Sequence, residues 1–466
     1  MFSRLKLIAQ ILLYTLIVGI GCWVFYTPLR TPLPFPQEAP HLLTAAAEAE
    51  EVDLSALPPN ISASKLPFHK CASFFVQFIS KEHPSGYRIR TYRLFPATLS
   101  ILFLLLIPAL GLRRRGGCFE TDDTAFWIAA FVISTPPFLC YGSLFSPLSF
   151  QTLLFLSLLI AFRAYVQWPG YLSALFISLF ITISIIIDSE MAWVALLMIP
   201  AIAIGVGWRR IRLYWHNGHF IAFSLLLATT LFIGYYFHLI PDFPLPNVRP
   251  VVHHFLPELT WRFIWLTAGG FGFVAWLGLL FWSIFHPDRR WPKVFAMMFP
   301  FFFVASFCFM SGGAVTVATT SLSLLLLGMA LSIIPSWGVR FLIGGSALVA
   351  LTFSMPHFIR NHFAPYQTRQ EQYLIAKTLL DACRMEKQWR SVALSIQDPQ
   401  LCARLTWPIR RCKFLPQSQE STAEVRITDH PSSELPVMTK EISPVFNLPN
   451  HPPIYLFSEH PSKVTQ

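Results

Sequence analysis

The sequence predicts an all-α polytopic membrane bundle of about eleven transmembrane helices, with amphipathic helices on its outer face and a small C-terminal α/β domain. Three observations predict it. First, 54% of the 466 residues are hydrophobic and 13% are charged, with a mean hydropathy of +0.53, a composition foreign to water-soluble domains of this size. Second, apolar runs long enough to cross roughly 30 Å of hydrocarbon recur along the chain. Third, the Lys and Arg residues of the apolar portion fall in alternate loops, as they do when basic loops stay in the cytoplasm.

The predicted spans run Leu5–Tyr26, Phe95–Leu112, Thr124–Tyr141, Pro147–Phe162, Tyr171–Ile187, Met191–Val206, Phe220–Leu239, Phe263–Phe285, Val294–Met310, Val315–Ile334 and Phe341–Met355. Several are short, so tilting or merging would change the count by one or two. The basic loops carry Arg4 and Lys6, Arg113–Arg115, Arg163, Arg209 with Arg210 and Arg212, Arg289 with Arg290 and Lys293, and Arg340. The loops between them, at Ser143–Ser146, Asp188–Glu190 and Ser311–Gly313, have no Lys or Arg. This alternation places the N-terminus inside and the C-terminus outside. The net charge of +11 then follows from orienting arginines, with no nucleic-acid partner implied. A basic start followed by an apolar run also fits a signal peptide, but the run is long and no small-residue cleavage site follows, so a retained anchor is expected.

The organisation expected is a transmembrane domain over residues 1–355, with an outer loop at 27–94, and an extracytoplasmic C-terminal domain over 356–466. Within the outer loop, a Pro-rich extended stretch leads to an Ala/Glu helix at His41–Val52. A turn at Pro58–Asn60 follows, and then an amphipathic helix at Pro67–Ser80 with Phe68, Cys71, Phe74, Phe75 and Phe78 at helical spacing. That helix suits packing on the bundle as well as contact with a substrate. Lys65, Lys70, Lys81, Arg88, Arg90 and Arg93 form a basic set suited to lipid headgroups, phosphate or simple solvation. The C-terminal domain reads as a helix at Gln367–Gln388, a strand at Ser391–Ile396, a helix at Pro399–Leu405, and strands at Glu424–Thr428 and Pro453–Phe457. Partial disorder is expected across 417–450. Cys383, Cys402 and Cys412 fall in this outer domain, where an oxidising compartment permits a bridge among them, Cys402 to Cys412 closing the shortest loop.

The order of elements resembles the GT-C-type integral-membrane glycosyltransferases, the class of the aminoarabinose transferases and protein O-mannosyltransferases. The likeness rests on Gln37-Glu38, the helix Leu42–Glu50, Val52-Asp53-Leu54, Asn60, Lys65-Leu66-Pro67-Phe68-His69 and Arg93-Leu94-Phe95-Pro96. These residues follow the family's order, in which an Asp-Glu pair, a helix, Gly-Asp-Trp, a turn with Asn-Gly, Lys-Pro-Pro-Leu and Arg-Leu-Pro succeed one another. The resemblance implies transfer of a sugar from a polyprenyl-phosphate donor to an envelope acceptor, at the outer face of a bacterial inner membrane. It departs from the family at Gln37, which stands where the family has its first Asp, and an amide cannot accept a proton at neutral pH. Glu38 and Asp53 are the carboxylates that could take the role. The loop Ser143–Pro147 lacks the family's further Asp, and Asp188 and Glu190 stand where the family has Thr-Lys-Gly-Pro.

Such a transfer needs cations to stabilise the departing phosphate and a carboxylate to deprotonate the acceptor. Lys65, Arg88 and Arg93 are the candidates for phosphate, with Arg249 a further one. His253, His254 and Glu258 are the candidates for a divalent metal, although adjacent histidines on a helix point in different directions. Two other functions fit the same composition. One is a non-catalytic member of the fold that binds a lipid carrier. The other is a transporter, which would call for charged residues within spans and an internal repeat, and the spans have few of either.

Overall fold

The computed structural model describes residues 2–26, 33–35, 38–53, 55, 67–79, 89–115, 118–121, 124–135, 142, 144–167, 170–206, 218–237, 272–285, 290–308, 314–358, 369–385, 388–416, 423–429, 439–441 and 455–458. Two compact units emerge. A helical unit comprises Met1–Tyr26, Ala97–Ser143 and Pro147–Phe358, and a mixed unit comprises Thr27–Pro96, Leu144–Ser146 and Ile359–Gln466.

Each predicted apolar run coincides at least in part with a helix. In chain order these are α1 (Phe2–Tyr26), then, after the two short helices α2 (Ala39–Ala49) and α3 (Pro67–Ile79), α4 (Ile89–Gly111) and α5 (Thr124–Ser134). They continue with α6 (Leu148–Gln167), α7 (Tyr171–Ile187), α8 (Met191–Val206) and α9 (His219–Tyr236). The last are α10 (Gly272–Phe285), α11 (Arg290–Cys308), α12 (Ala314–Ile333) and α13 (Trp337–Phe358). The chain is a multi-pass, all-α membrane protein in this part. Windows of 22 and 19 apolar residues occur at Ile89–Leu110 and Leu148–Val166, and shorter apolar helices account for the rest.

The helical unit is built around α12, which packs on α5, α6 and α11. Leu322, Leu324, Leu325, Leu326 and Leu327 on α12 are all buried, and Phe155, Phe295, Phe299 and Phe302 fill the space around them. The opposite surfaces are apolar too. Leu12 and Leu16 of α1, Leu172 and Phe176 of α7, and Leu225 and Phe232 of α9 are exposed, as required of helices whose outward faces meet lipid rather than water. Polar side chains inside the bundle find partners across helices. Thr319 Oγ1 donates to the Phe302 carbonyl at 3.1 Å, Thr182 Oγ1 pairs with Thr230 Oγ1 at 2.8 Å, and Trp276 Nε1 donates to the Ala296 carbonyl at 2.9 Å. Between α4 and α5, where a basic loop is predicted, strands β1 (Leu112–Arg115) and β2 (Cys118–Thr121) pair antiparallel.

Close helix approach depends on a few glycines. A Cβ at Gly328 on α12 would run into the Ile128 side chain and lie 3.1 Å from the Ile128 backbone nitrogen on α5. Gly328→Leu is therefore expected to lower stability by about 1–3 kcal/mol through overpacking. Gly345→Leu, at a position with nothing within 4 Å, serves as the control. Thermal unfolding in detergent checks the pair, and equal melting temperatures would show that α5 and α12 separate readily.

The mixed unit joins the first polar segment to the C-terminal one. Its C-terminal part contains α14 (Arg369–Cys383), the small antiparallel pair β3 (Arg384–Met385) and β4 (Gln388–Trp389), β5 (Ser391–Ser395), α15 (Pro399–Ile409), β6 (Lys413–Leu415), β7 (Val425–Thr428), β8 (Thr439–Glu441) and β9 (Tyr455–Ser458). The five-stranded sheet has the order β6-β5-β7-β9-β8. β5 is parallel to β6 and to β7, whereas β9 runs antiparallel to β7 and β8. Val392 and Leu394 of β5 and Val425 and Ile427 of β7 are buried, and the crossover from β5 to β6 is made by α15.

Cys383, Cys402 and Cys412 are all buried free thiols in this structure. Cys402 faces Thr406 on its own helix, and burial pushes its thiol up to about 12.

Candidate functional site

The residues singled out in the first polar segment are organised by α2 and α3. Pro40 near the start of α2 suits a helix N-terminus, where its missing N–H is not needed. The alanines that follow keep the α2 surface low, so that α3 packs closely against it. Ser73 Oγ donates to the Ala45 carbonyl at 3.0 Å and Gln77 Nε2 to the Ala49 carbonyl at 3.4 Å. On α3 the buried side is Phe68, His69, Ala72, Ser73 and Val76, while Phe74 and Phe78 are exposed. The aromatic stripe legible in the sequence is thus split, with Phe68 buried against Phe95 and Phe145 and Phe74 and Phe78 turned outward.

Glu38 lies at the foot of α2 and is wholly buried. Its Oε1 accepts the Phe35 N–H at 2.8 Å, and its Oε2 accepts the Phe145 N–H at 3.0 Å. Arg93, also wholly buried, donates Nε to both carboxylate oxygens at 3.1 Å and pairs through Nη2 with Oε1. The same guanidinium reaches the Leu33 carbonyl at 3.4 Å and lies 5.1 Å from the Phe35 ring centre. One carboxylate therefore ties together three separate stretches: residues 33–38, the first turns of α4, and the 144–146 loop. Its acceptor sites are taken by backbone and guanidinium donors. Arg93 is wholly buried and held by Glu38 and by the Leu33 carbonyl.

Beside this pair are two histidines. His41 Nδ1 and His69 Nε2 are 3.1 Å apart, with the rings stacked at 5.3 Å. Burial pulls His41 down to about 4, with the nearby Glu38 charge acting the other way. Burial and the neighbouring His41 pull His69 down to about 3. The two rings are therefore neutral at physiological pH, one donating to the other.

The far end of α2 forms a second node. Glu50 closes the helix, its N–H donating to the Ala46 carbonyl at 2.8 Å. Its carboxylate accepts Tyr92 Oη at 3.0 Å, Arg410 Nη2 at 2.8 Å and Arg411 Nη2 at 3.0 Å. Arg410 also lies 4.2 Å from the centre of the Trp407 ring. Next to it, Glu51 adopts a left-handed backbone with φ 53°, an arrangement that costs a non-glycine residue free energy and is often found at functional sites.

These residues open onto a cleft of about 730 Å³ lined by Glu50, Glu51, Val52, Asp53, Trp389, Arg410, Arg411, Cys412, Lys413 and Phe414. That volume suits a small organic ligand. Asp53 is exposed on its rim. Its Oδ1 accepts the Ser55 N–H at 2.9 Å, and hydrogen bonds from the Ser55 side chain and backbone hold it below the usual carboxylate range. It is ionised at neutral pH and open to an incoming ligand. Chemically, the cleft offers the Glu51 and Asp53 carboxylates, the Lys413 ammonium, the Glu50 carboxylate with the two guanidinium groups that pair with it, and aromatic surface at Trp389.

Of the residues expected from the sequence, Glu38 and Arg93 come together with each other, and Asp53 stands apart on the cleft. Gln37, Lys65, Arg88, Arg249, His253, His254 and Glu258 lie outside the described residues. Among the described residues no group of three or more His, Cys, Asp or Glu side chains is arranged to hold a metal. Asp188 caps the turn between α7 and α8, accepting Gln151 Nε2 at 2.7 Å and the Glu190 N–H at 3.0 Å. Sequence reasoning missed Glu50, Arg410 and Arg411. The doublet Arg410-Arg411 after an apolar helix was the available signal, but nothing local names its partner.

No protein-family model and no characterised protein matches the chain by sequence. By structure it matches the crystal structure of ArnT from Cupriavidus metallidurans bound to undecaprenyl phosphate, with a TM-score of 0.60 over 96% of this chain and 98% of that one, at 13% identity. The fold is that of ArnT. The apo state of the same ArnT matches with a TM-score of 0.58 over 95% of this chain and 97% of that one, again at 13% identity. The GT-C resemblance expected from the first polar segment thus holds at the level of fold. ArnT and this chain share an architecture over nearly their whole lengths, while side-chain roles must be argued from the residues present here.

Proposed function

We propose that this chain is a GT-C-type glycosyltransferase that takes a sugar from a polyprenyl-phosphate carrier and passes it to an envelope acceptor at the outer face of a bacterial inner membrane. The observation that carries the reading is the end-to-end match to ArnT, one of whose structures holds undecaprenyl phosphate. In this reading Asp53 is the carboxylate that faces the acceptor, since it is exposed and ionised on a cleft of ligand size. Glu38 and Arg93 act together, positioning the first segment by their mutual pairing. Lys65 and Arg88 meet the carrier's phosphate. His253, His254 and Glu258 are the residues that would hold a divalent metal, which would add charge stabilisation to the departing phosphate.

The test is transfer from a polyprenyl-phosphate sugar by the purified protein in lipid nanodiscs. Asp53→Asn is expected to lower the rate by about 10²–10⁴-fold, the range of a lost general base. Its melting temperature and its binding of undecaprenyl phosphate should be unchanged, because the side chain is exposed. Full activity in the variant would remove Asp53 from the mechanism.

A second reading has its own support in the filled acceptor sites of Glu38, which is spent on structure. A lipid-carrier-binding protein without turnover would show saturable undecaprenyl-phosphate binding and no transfer from any donor, with wild type and Asp53→Asn alike.

A further inference from the structure

We infer that Cys383 and Cys412 are a disulfide pair, closing the C-terminal part of the mixed unit under the cleft. Cys383 is the last residue of α14, and Cys412 sits in the turn between α15 and β6. Both are buried free thiols in this structure. Cys412 Sγ lies 4.0 Å from the Cys383 carbonyl oxygen, across 29 residues of chain, so the Cys412 sulfur rests against the Cys383 residue itself. The surroundings hold both ends in place. The Cys383 carbonyl also accepts the Arg390 N–H at 3.0 Å, and the Cys412 N–H donates to the Ile409 carbonyl at 2.8 Å. The neighbouring Cys383 thiol, together with burial, pushes the Cys412 thiol up. Cys402, the alternative partner, is engaged with Thr406 instead.

The bridge has a consequence for the cleft, because Cys412 lines it between Arg411 and Lys413. Fixing Cys412 to the end of α14 fixes the turn from which Arg410 and Arg411 grip Glu50. Formation proceeds by exchange with a disulfide-bearing oxidant. Before folding buries the pair, the Cys412 thiolate attacks one oxidant sulfur and expels a thiolate, and the Cys383 thiolate then attacks the Cys412 sulfur and expels the second. Two protein thiols are oxidised, one oxidant disulfide is reduced to two thiols, and the two protons pass to the departing sulfurs.

The inference rests on the outer placement of the C-terminal segment, which the proposed function shares, and the experiment separates the two. Cells expressing the full chain are quenched with an alkylating agent, and the purified protein is mapped by non-reducing peptide mass spectrometry. The expected result is one linked peptide pair containing Cys383 and Cys412, lost on reduction, retained in Cys402→Ala and abolished in Cys412→Ser. A link that appears only after the folded protein meets oxidised glutathione supports the pairing and overturns the outer placement. Alkylation of both residues before and after that treatment, or a link through Cys402, overturns the pairing itself.

Discussion

Arg93→Met is expected to destabilise the mixed unit by about 3–5 kcal/mol, the cost of leaving a buried charge without its partner. Glu38 would keep only the Phe35 and Phe145 N–H donors, too few for a carboxylate that no water reaches. Glu38→Gln should cost a similar amount, because the single amide oxygen accepts only one of those two N–H groups in place and Arg93 is left as a buried charge without its anion. The double substitution Glu38→Gln with Arg93→Met should recover part of the loss, since replacing both members of a buried pair removes the stranded charge. Tryptophan fluorescence follows the unfolding, because Trp389 and Trp407 both belong to this unit. A melting curve for Arg93→Met that overlays wild type would show the pair to be dispensable for folding.

Acidification should weaken the same unit well before ordinary carboxylates titrate. His41 and His69 fall from 6.5 to about 4 and about 3 in the folded chain, so between pH 6.5 and those values the unfolded state binds more protons. Stability is then full above pH 6.5 and is lost as pH falls below it, by about 2 kcal/mol per histidine at pH 5. Asp53, held low by Ser55, acts in the same direction only at lower pH. Replacing both histidines with Phe, which keeps the stacked rings and removes the protons, should flatten the melting temperature between pH 7.5 and 5. A double variant that retains the wild-type slope would place the sensitivity elsewhere.

What could be read from the sequence follows the range of the interactions. Hydropathy is local, so each apolar run found its helix, and the predicted limits of α7 and α8 coincide with those observed. The alternation of the C-terminal segment was also legible: Ser391–Ile396 is β5, and the helix expected at Pro399–Leu405 is α15, longer by one turn. Strand β6 was missed because Lys413–Leu415 is three residues long and carries no alternation of its own. The site was less legible. Glu38 and Arg93 were each chosen for chemistry with a substrate, and 55 residues separate them, so no spacing rule could show that each satisfies the other. Asp53 is legible through the resemblance of Val52-Asp53-Leu54 to the family's acidic turn, whereas the cleft beneath it draws its other wall from the far end of the chain.

That distance has a consequence for how the protein is made. Glu50 and its partner Arg410 are separated by 360 residues, and the Pro34 carbonyl accepts Arg404 Nε across 370. At 5–20 residues per second, roughly 20–70 s of synthesis pass between the appearance of the first segment and of the residues that complete it. Throughout that interval α2 and α3 lack α15, against which α2 packs. A chain released between residues 358 and 399 has every helix of the bundle, while its first polar segment lacks the helix against which α2 packs. The burial of α2 is thus completed only in the last stage of synthesis.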